Sequence, residues 1–207
     1  MSWKEEAENF CHSLGVSLDA AEKRVGEIGE CGNRYFKDGH LDQLYFAIAG
    51  LVLGDVENVL EIGTGFWEST VSLSALIPAA TIYTVDIKRK KQKYSANMNN
   101  IMFIQKDSFF LPSMGLPEEF DLIWIDGYHS YPVVAWDVMF SYNRLRMGGF
   151  IFMHDYVLGG KNDIARTFAY VKGIISDEIG LLPSMRDNIS DHKIAWIRKL
   201  KEIGGKK

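Results

Sequence analysis

Asp126 closes the apolar run Phe120-Asp-Leu-Ile-Trp-Ile125, and His154-Asp155 closes the run Phe150-Ile-Phe-Met153. His129 follows Asp126 by three residues. The 28 and 29 residues that separate Asp126 from His154 and Asp155 equal one strand-helix-strand unit. If the two runs are neighbouring parallel strands, these side chains converge on one rim. Carboxylates and imidazoles gathered in this way can take a proton as a general base or hold a divalent ion, and either activates a hydroxyl for attack. His129, His154 and Asp126 are therefore the catalytic candidates.

A second group lies upstream. Glu61-Ile62-Gly63-Thr64-Gly65 ends another apolar run and opens a helical segment, so the two glycines let the backbone turn sharply and approach a ligand. A dinucleotide fingerprint would place a third glycine at position 68, where the chain has Glu68 instead, which disfavours NAD and FAD. Asp86 ends the next run, 23 residues after Gly63, where a carboxylate can accept from both hydroxyls of a ribose. Asp107-Ser108 ends the third, where it can read an adenine edge. Each of these residues also has a purely structural reading, as a tight turn for the glycines and as a cap for the aspartates.

The elements that must position these groups follow from periodicity. Up to about residue 55, apolar residues recur at helical spacing: Trp3, Ala7, Phe10 and Leu14, then Leu18, Ala21, Val25 and Ile28, then Leu41, Leu44, Tyr45, Ile48 and Leu51. Gly29 to Gly39 reads as a loop. After Gly54 short apolar runs alternate with helix-length segments: strands at 58–62, 81–85, 101–105, 120–125 and 150–153, and helices at 68–76, 132–146 and 163–176. Gly148-Gly149 is the expected stop of the helix that starts at Pro132. Two weaker strands are expected at 181–185 and 193–198. This predicts a doubly wound, Rossmann-like α/β fold, with a mostly parallel seven-stranded sheet and its ligand at the carboxyl ends of the strands. The expected division is an N-terminal helical cap over 1–55, a cofactor-binding domain over 56–200 and a tail over 201–207.

Composition narrows the function. The 207 residues carry 23 basic and 27 acidic side chains, a net charge of −4, with one basic cluster at Lys88-Arg89-Lys90-Lys91 and Lys93. No nucleic-acid partner is expected from that balance. Cys11 and Cys31 have neither zinc-knuckle nor disulfide-framework spacing, and the N-terminus is acidic where a secretory leader would be basic, so a cytoplasmic setting is expected. The longest nearly uncharged stretch, 41–54, is too short for a membrane span. The apolar faces of the first two helices offer a surface for a homodimer.

The sequence resembles the class I S-adenosylmethionine-dependent methyltransferases through Glu61 to Gly65, Asp86 and Asp107-Ser108. It is closer still to the small-molecule O-methyltransferases of the family 24 kind, which include macrolide-sugar O-methyltransferases and cephalosporin hydroxylase relatives. That closer likeness is carried by Phe120-Asp-Leu-Ile-Trp-Ile-Asp-Gly-Tyr-His-Ser-Tyr-Pro-Val-Val-Ala-Trp-Asp137 and Leu145-Arg-Met-Gly-Gly-Phe-Ile-Phe-Met-His-Asp-Tyr156. The resemblance implies S-adenosyl-L-methionine bound by Glu61, Gly63, Thr64, Gly65, Ser69, Asp86, Ile87, Asp107, Ser108 and Asp126. It also implies a magnesium ion at the places of Asp126 and Asp155; with His154 beside them, either another divalent ion such as manganese is held by Asp126, His154 and Asp155, or none binds and His154 acts as base. The acceptor is expected to be a small molecule, framed by the N-terminal helices and residues 158–162. The relatives often have a second acid where this chain has His154, and a third glycine where it has Trp67. A nucleobase amino-methyltransferase would resemble Asn/Asp-Pro-Pro-Tyr/Phe where this chain reads Ile125-Asp-Gly-Tyr128. A hydroxylase-like relative and a module that binds the cofactor without turnover remain as alternatives.

Overall fold

Ser2 and Ser17 each stand one residue before a helix, and both side chains cap it. Ser2 Oγ accepts from the Glu5 N–H at 3.2 Å while Glu5 accepts from the Ser2 N–H at 2.6 Å, a closed capping box for α1 (Trp3–Ser13). Ser17 caps α2 (Leu18–Glu27) more simply, its Oγ accepting from the Ala20 N–H with no return bond, since the third helical residue is alanine. The computed structural model describes residues 1–29, 37–90, 99–159, 162–174, 177–186 and 191–200. Cys31, Lys91, Lys93, the tail and most of the loop expected at Gly29 to Gly39 lie outside the described residues.

Both helices turn their apolar faces inward, burying Ala7, Phe10 and Cys11 from α1 and Leu18, Ala21 and Val25 from α2. The surface expected to pair subunits is thus covered within the chain. These faces pack against α3 (Asp42–Leu53), whose residues are buried on every side from Asp42 to Gly50. A helix apolar all round belongs between two layers, and α3 lies between α2 and the sheet, while α1 packs directly on β6 and β7, with Phe10 against Trp196 at 4.9 Å between ring centres.

The sheet comprises β1 (Asn58–Ile62), β2 (Thr81–Asp86), β3 (Ile101–Gln105), β4 (Phe120–Ile125), β5 (Leu145–Val157), β6 (Glu178–Pro183) and β7 (His192–Arg198). Their order is β3-β2-β1-β4-β5-β7-β6, with β7 antiparallel to both neighbours and the rest parallel. Side chains alternate between faces, so Val59, Leu122, Trp124, Phe150 and Phe152 join the core under α1–α3 and α4 (Glu68–Leu76). Leu60, Ile62, Ile123, Ile125 and Ile151 join the core under α5 (Val133–Arg144) and α6 (Asp163–Ile174). Helices on both faces explain why the strands read as unbroken apolar runs.

Several boundaries differ from expectation, and the strand expected at 150–153 runs from Leu145 to Val157. The helix after Pro132 stops at Arg144 because Leu145 is already extended, and Gly148 and Gly149 belong to β5. Gly148 supplies a left-handed φ of 81°, and Gly149 allows close approach, since a Cβ there would stand 2.7 Å from the Asp121 carbonyl oxygen of β4. The sixth strand lies at Glu178–Pro183 rather than 181–185, and Gly180 lets it pack flat on the Trp196 indole. A short 3-10 helix, Ser108–Ser113, follows β3 where no element was expected. No described helix is long and apolar enough to cross a membrane.

Candidate active site

Strand order reverses between β1 and β4, and their carboxyl ends lie side by side there. Such a reversal opens a crevice above the sheet. Gly63 follows β1 with φ of 102°, and the Asp126 N–H donates to the Ile62 carbonyl at 2.8 Å. Gly65, also left-handed, donates its N–H to Asp86 Oδ2 at 2.9 Å, while Lys88 N–H binds Oδ1 at 2.9 Å. Asp86 thus clasps the glycine turn from the end of β2.

Trp67 stands at the N-cap of α4 in the left-handed region, φ 72°. That conformation costs a residue with a Cβ about 1–2 kcal/mol. The indole compensates through burial. It is 2% exposed, stacks near Phe103 at 5.1 Å between ring centres, and donates Nε1–H to the Lys90 carbonyl at 2.9 Å. It therefore points away from the crevice.

Glu61, Thr64 and Ser69, expected as cofactor contacts, lie beneath the turn rather than along the crevice. Glu61 is fully buried and accepts from Ser69 Oγ and Thr84 Oγ1, each at 2.5 Å, and from Thr70 Oγ1. Thr64 Oγ1 pairs with Thr84 Oγ1 at 2.6 Å. Burial pushes the Glu61 carboxyl up to about 7 despite these hydroxyls. The crevice itself, about 530 Å³, is lined by the other expected residues: Gly63, Gly65, Asp86, Ile87, Asp107, Ser108 and Asp126. Lys90, Lys106 and Tyr128 also line it and are not among the expected contacts. Asp107 Oδ1 accepts from the Phe109 N–H at 2.9 Å and so caps the 3-10 helix as well.

At the ends of β4 and β5 the four predicted groups do meet. His129 Nε2 lies 3.2 Å from Asp126 Oδ1, and its Nδ1 lies 3.4 Å from Asp155 Oδ2. His154 Nδ1 lies 3.5 Å from Asp126 Oδ1 and 3.2 Å from Asp155 Oδ1. Asp155 has φ of 56°, and the Asn162 side-chain amide holds its carbonyl at 2.6 Å. Asp126, His154 and Asp155 each offer a ligating atom, all within 4.8 Å of one another.

Burial alone would push Asp126 up, but the adjacent His129 and His154 carry it below the usual carboxylate range. The same two imidazoles, with His192, hold Asp155 far below it. Burial would depress both histidines, yet the carboxylates prevail: Asp126 and Asp155 raise His129 to about 9, and these two with Asp42 raise His154 to about 11.

Two members of the cluster were not foreseen. His192 of β7 places Nδ1 3.1 Å from Asp155 Oδ1. Asp42 of α3 is 3% exposed and places Oδ2 3.8 Å from His154 Nε2. The one available signal was an acid opening an otherwise apolar helix. Burial, with Asp126 and Asp155 adding repulsion, raises Asp42 to about 6.

Residues 60–156 match the family described as "Methyltransferase domain". No curated protein matches the chain. Among solved structures, cofactor-bound Rv0187 from MTB is similar at a TM-score of 0.61 and 16% identity, over 89% of this chain and 90% of that one. MycE of the mycinamycin biosynthetic pathway, in complex with Mg, SAH and mycinamycin VI, gives a TM-score of 0.59 and 19% identity, over 87% of this chain and 57% of that one. An rRNA methylase from Streptococcus thermophilus gives 0.56 and 13%, over 76% and 95%. These likenesses concern the fold. The family match spans β1 to β5, where the glycine turn, Asp86 and the crevice at the strand reversal are found. Over residues 60–156, from β1 to β5, the chain is thus similar to a methyltransferase domain.

Proposed function

We propose that the protein methylates a hydroxyl of a small molecule, with His129 as the general base and a divalent ion held by Asp126, His154 and Asp155. The observation that carries this reading is the double membership of Asp126. It lines the crevice that begins at the glycine turn, and it belongs to the imidazole-carboxylate cluster. A methyl donor in the crevice and a hydroxyl at the cluster would therefore be neighbours.

Bound S-adenosylmethionine supplies an electrophilic methyl on a sulfonium, which transfers by in-line displacement. The chain's own work is to hold, orient and deprotonate. Gly63 and Gly65 let the backbone come close, Asp86 faces the ribose, Asp107 and Ser108 face the base, and Ile87 closes the crevice. His129 takes the acceptor proton. Asp126 and Asp155 keep it charged up to about pH 9, so it becomes a base at neutral pH only when those carboxylates direct their charge elsewhere, as ligands of a cation would. The donor set of two carboxylates and an imidazole fits a divalent ion, which at that place would lower the pKa of a bound hydroxyl.

MycE, in complex with Mg, SAH and a macrolide, supports the small-molecule reading by analogy. The net charge of −4 opposes the nucleic-acid alternative raised by the rRNA methylase likeness. We place the methyltransferase domain at 56–200 with the N-terminal helices as its cap, in a cytoplasmic protein.

The test is methyl transfer from labelled S-adenosylmethionine to a panel of phenols, catechols, sugars and a tRNA–rRNA mixture, with Mg2+ or Mn2+. Label on a hydroxyl compound, lost in His129→Gln, is the expected result. Label on RNA, or undiminished turnover in His129→Gln, overturns the reading.

A further inference from the structure

The two ring nitrogens of His154 face different surroundings. Nδ1 looks into the cluster, 3.2 Å from Asp155 Oδ1 and 3.5 Å from Asp126 Oδ1. Although buried and this close to two carboxylates, Nδ1 has no hydrogen-bond partner. Neither carboxylate oxygen lies along its N–H direction. Three donor atoms that crowd together without bonding to each other are arranged as ligands converging on a common centre. Bonds of about 2.1 Å at angles between octahedral and tetrahedral set neighbouring ligand atoms about 3.0–3.4 Å apart, close to the two spacings from Nδ1, and all three donor atoms lie within 4.8 Å of one another.

Nε2 looks the opposite way, toward Asp42 Oδ2 at 3.8 Å. Asp42 arrives from the first turn of α3, a different layer of the fold, and is 3% exposed. Its other oxygen, Oδ1, is buried with no hydrogen-bond partner. An acid placed there with so little local compensation has the imidazole as its one close cationic neighbour among the described ion pairs. A metal-bound imidazole uses the lone pair of one nitrogen and keeps a proton on the other, and a carboxylate behind that N–H fixes ring and tautomer.

We infer that Asp42 is the outer carboxylate of a metal-bound His154, and that this carboxylate-imidazole-metal line makes the site select a first-row transition ion, manganese to zinc, over magnesium. The inference rests on reading the cluster as a metal site, as proposed above. Its chemical basis is the donor set: magnesium takes oxygen ligands and binds imidazole poorly, whereas the transition ions accept nitrogen readily. Asp42 is a positioning residue in this scheme, acting through His154 without touching the ion.

The experiment uses the full chain, freed of metal by chelation, with the metal ions alone as probes. Calorimetric titration should show Mn2+, Co2+ and Zn2+ binding at least tenfold more tightly than Mg2+, and Co2+ should develop the visible absorption of a nitrogen-containing site. Asp42→Asn should weaken Co2+ and Zn2+ binding by roughly 10–100-fold, with S-adenosylhomocysteine affinity unchanged as the control for folding. His154→Asp should erase the preference against Mg2+. A measurement on the unaltered chain guards against variants that fail to fold: with Zn2+ bound, histidine 15N NMR should report coordination through Nδ1 of His154 and a proton on Nε2. Equal affinity for Mg2+ and Mn2+, an Asp42→Asn protein that binds metal as tightly as the parent, or coordination through Nε2 would each overturn the inference while leaving the metal site standing. Failure of every ion to bind would overturn the metal reading itself. A retained thermal shift with S-adenosylhomocysteine would keep the cofactor assignment separate from both failures.

Discussion

Gly63 and Asp126 stand back to back, so that a Cβ built on Gly63 would lie 2.2 Å from the Asp126 carbonyl oxygen. The contact joins the turn after β1 to the residue after β4, and the Asp126 N–H completes it by donating to Ile62 at 2.8 Å. The crevice and the imidazole-carboxylate cluster therefore share one rigid joint. A shift of the glycine turn displaces Asp126, and with it both His129 and His154.

Gly63→Ala tests this joint. The methyl group meets backbone, which cannot rotate away, and φ of 102° is strained for alanine in any case. A stability loss above about 3 kcal/mol is expected, read as a fall in the urea midpoint. A loss below about 0.5 kcal/mol would show that the two strand ends give way easily.

Trp67→Gly sets two effects against each other. Glycine relieves about 1–2 kcal/mol of left-handed strain, while removing a buried indole costs about 3–5 kcal/mol. Burial wins, and the variant should be less stable by about 2–3 kcal/mol. Its affinity for S-adenosylhomocysteine should stay within a few-fold of the parent, because the indole faces away from the crevice. A variant more stable than the parent would mean that the strain outweighs the burial.

Asp86 should decide cofactor binding. S-adenosylhomocysteine at about 100 times its dissociation constant adds about 2.7 kcal/mol to the native state, hence roughly 5–10 °C in melting temperature for this size. Asp86→Ala removes the proposed ribose acceptor and frees the Gly65 N–H, so the shift should vanish. An undiminished shift would place the cofactor elsewhere.

Glu61 gives stability a pH dependence of known sign. Its carboxyl is raised from 4.5 to about 7 in the folded chain, so the native state holds the proton more tightly than the unfolded state. Stability must then fall as pH rises from about 4.5 to 7, by an amount on the order of 3 kcal/mol. Asp42 and Asp137, both raised to about 6, add to the slope over the lower part of this range. Glu61→Gln should remove its own share, making the difference between the two proteins grow with pH in denaturant titrations. Parallel pH profiles for variant and parent would rule out the assignment.

His129→Gln should lower kcat by about 10²–10⁴-fold, with the KM for S-adenosylmethionine unchanged because His129 is not among the crevice-lining residues. A change confined to KM would make His129 a binding residue.

The sequence made the sheet legible because its strands are covered on both faces and read as bare apolar runs. It also located the ends of β1, β2 and β4, where glycine and aspartate break those runs, whereas β5 runs on through His154 and Asp155 to Val157. What it did not show was direction. Glu61 sits inside a motif, but alternation along β1 turns its side chain under α4, where Ser69 and Thr70 meet it. The glycine pair at 148–149 looked like a helix stop because close packing of β5 on β4 has no local signature. Asp42 and His192 join the cluster from α3 and β7. No spacing rule links positions 112 and 37 residues away from His154 and Asp155 respectively, and only the folded chain brings them together.

The burial of α3 on both flanks bears on how the molecule comes apart. A helix shared by two layers leaves no plane along which residues 1–55 can peel off as a separate module, since its loss would expose Trp124, Phe150 and Phe152 to water. Melting should be a single cooperative event, with the N-terminal helices and the sheet unfolding together. Grafting a foreign cap onto this sheet to change the acceptor would have to keep the segment from Leu41 to Leu53 and vary only what precedes it.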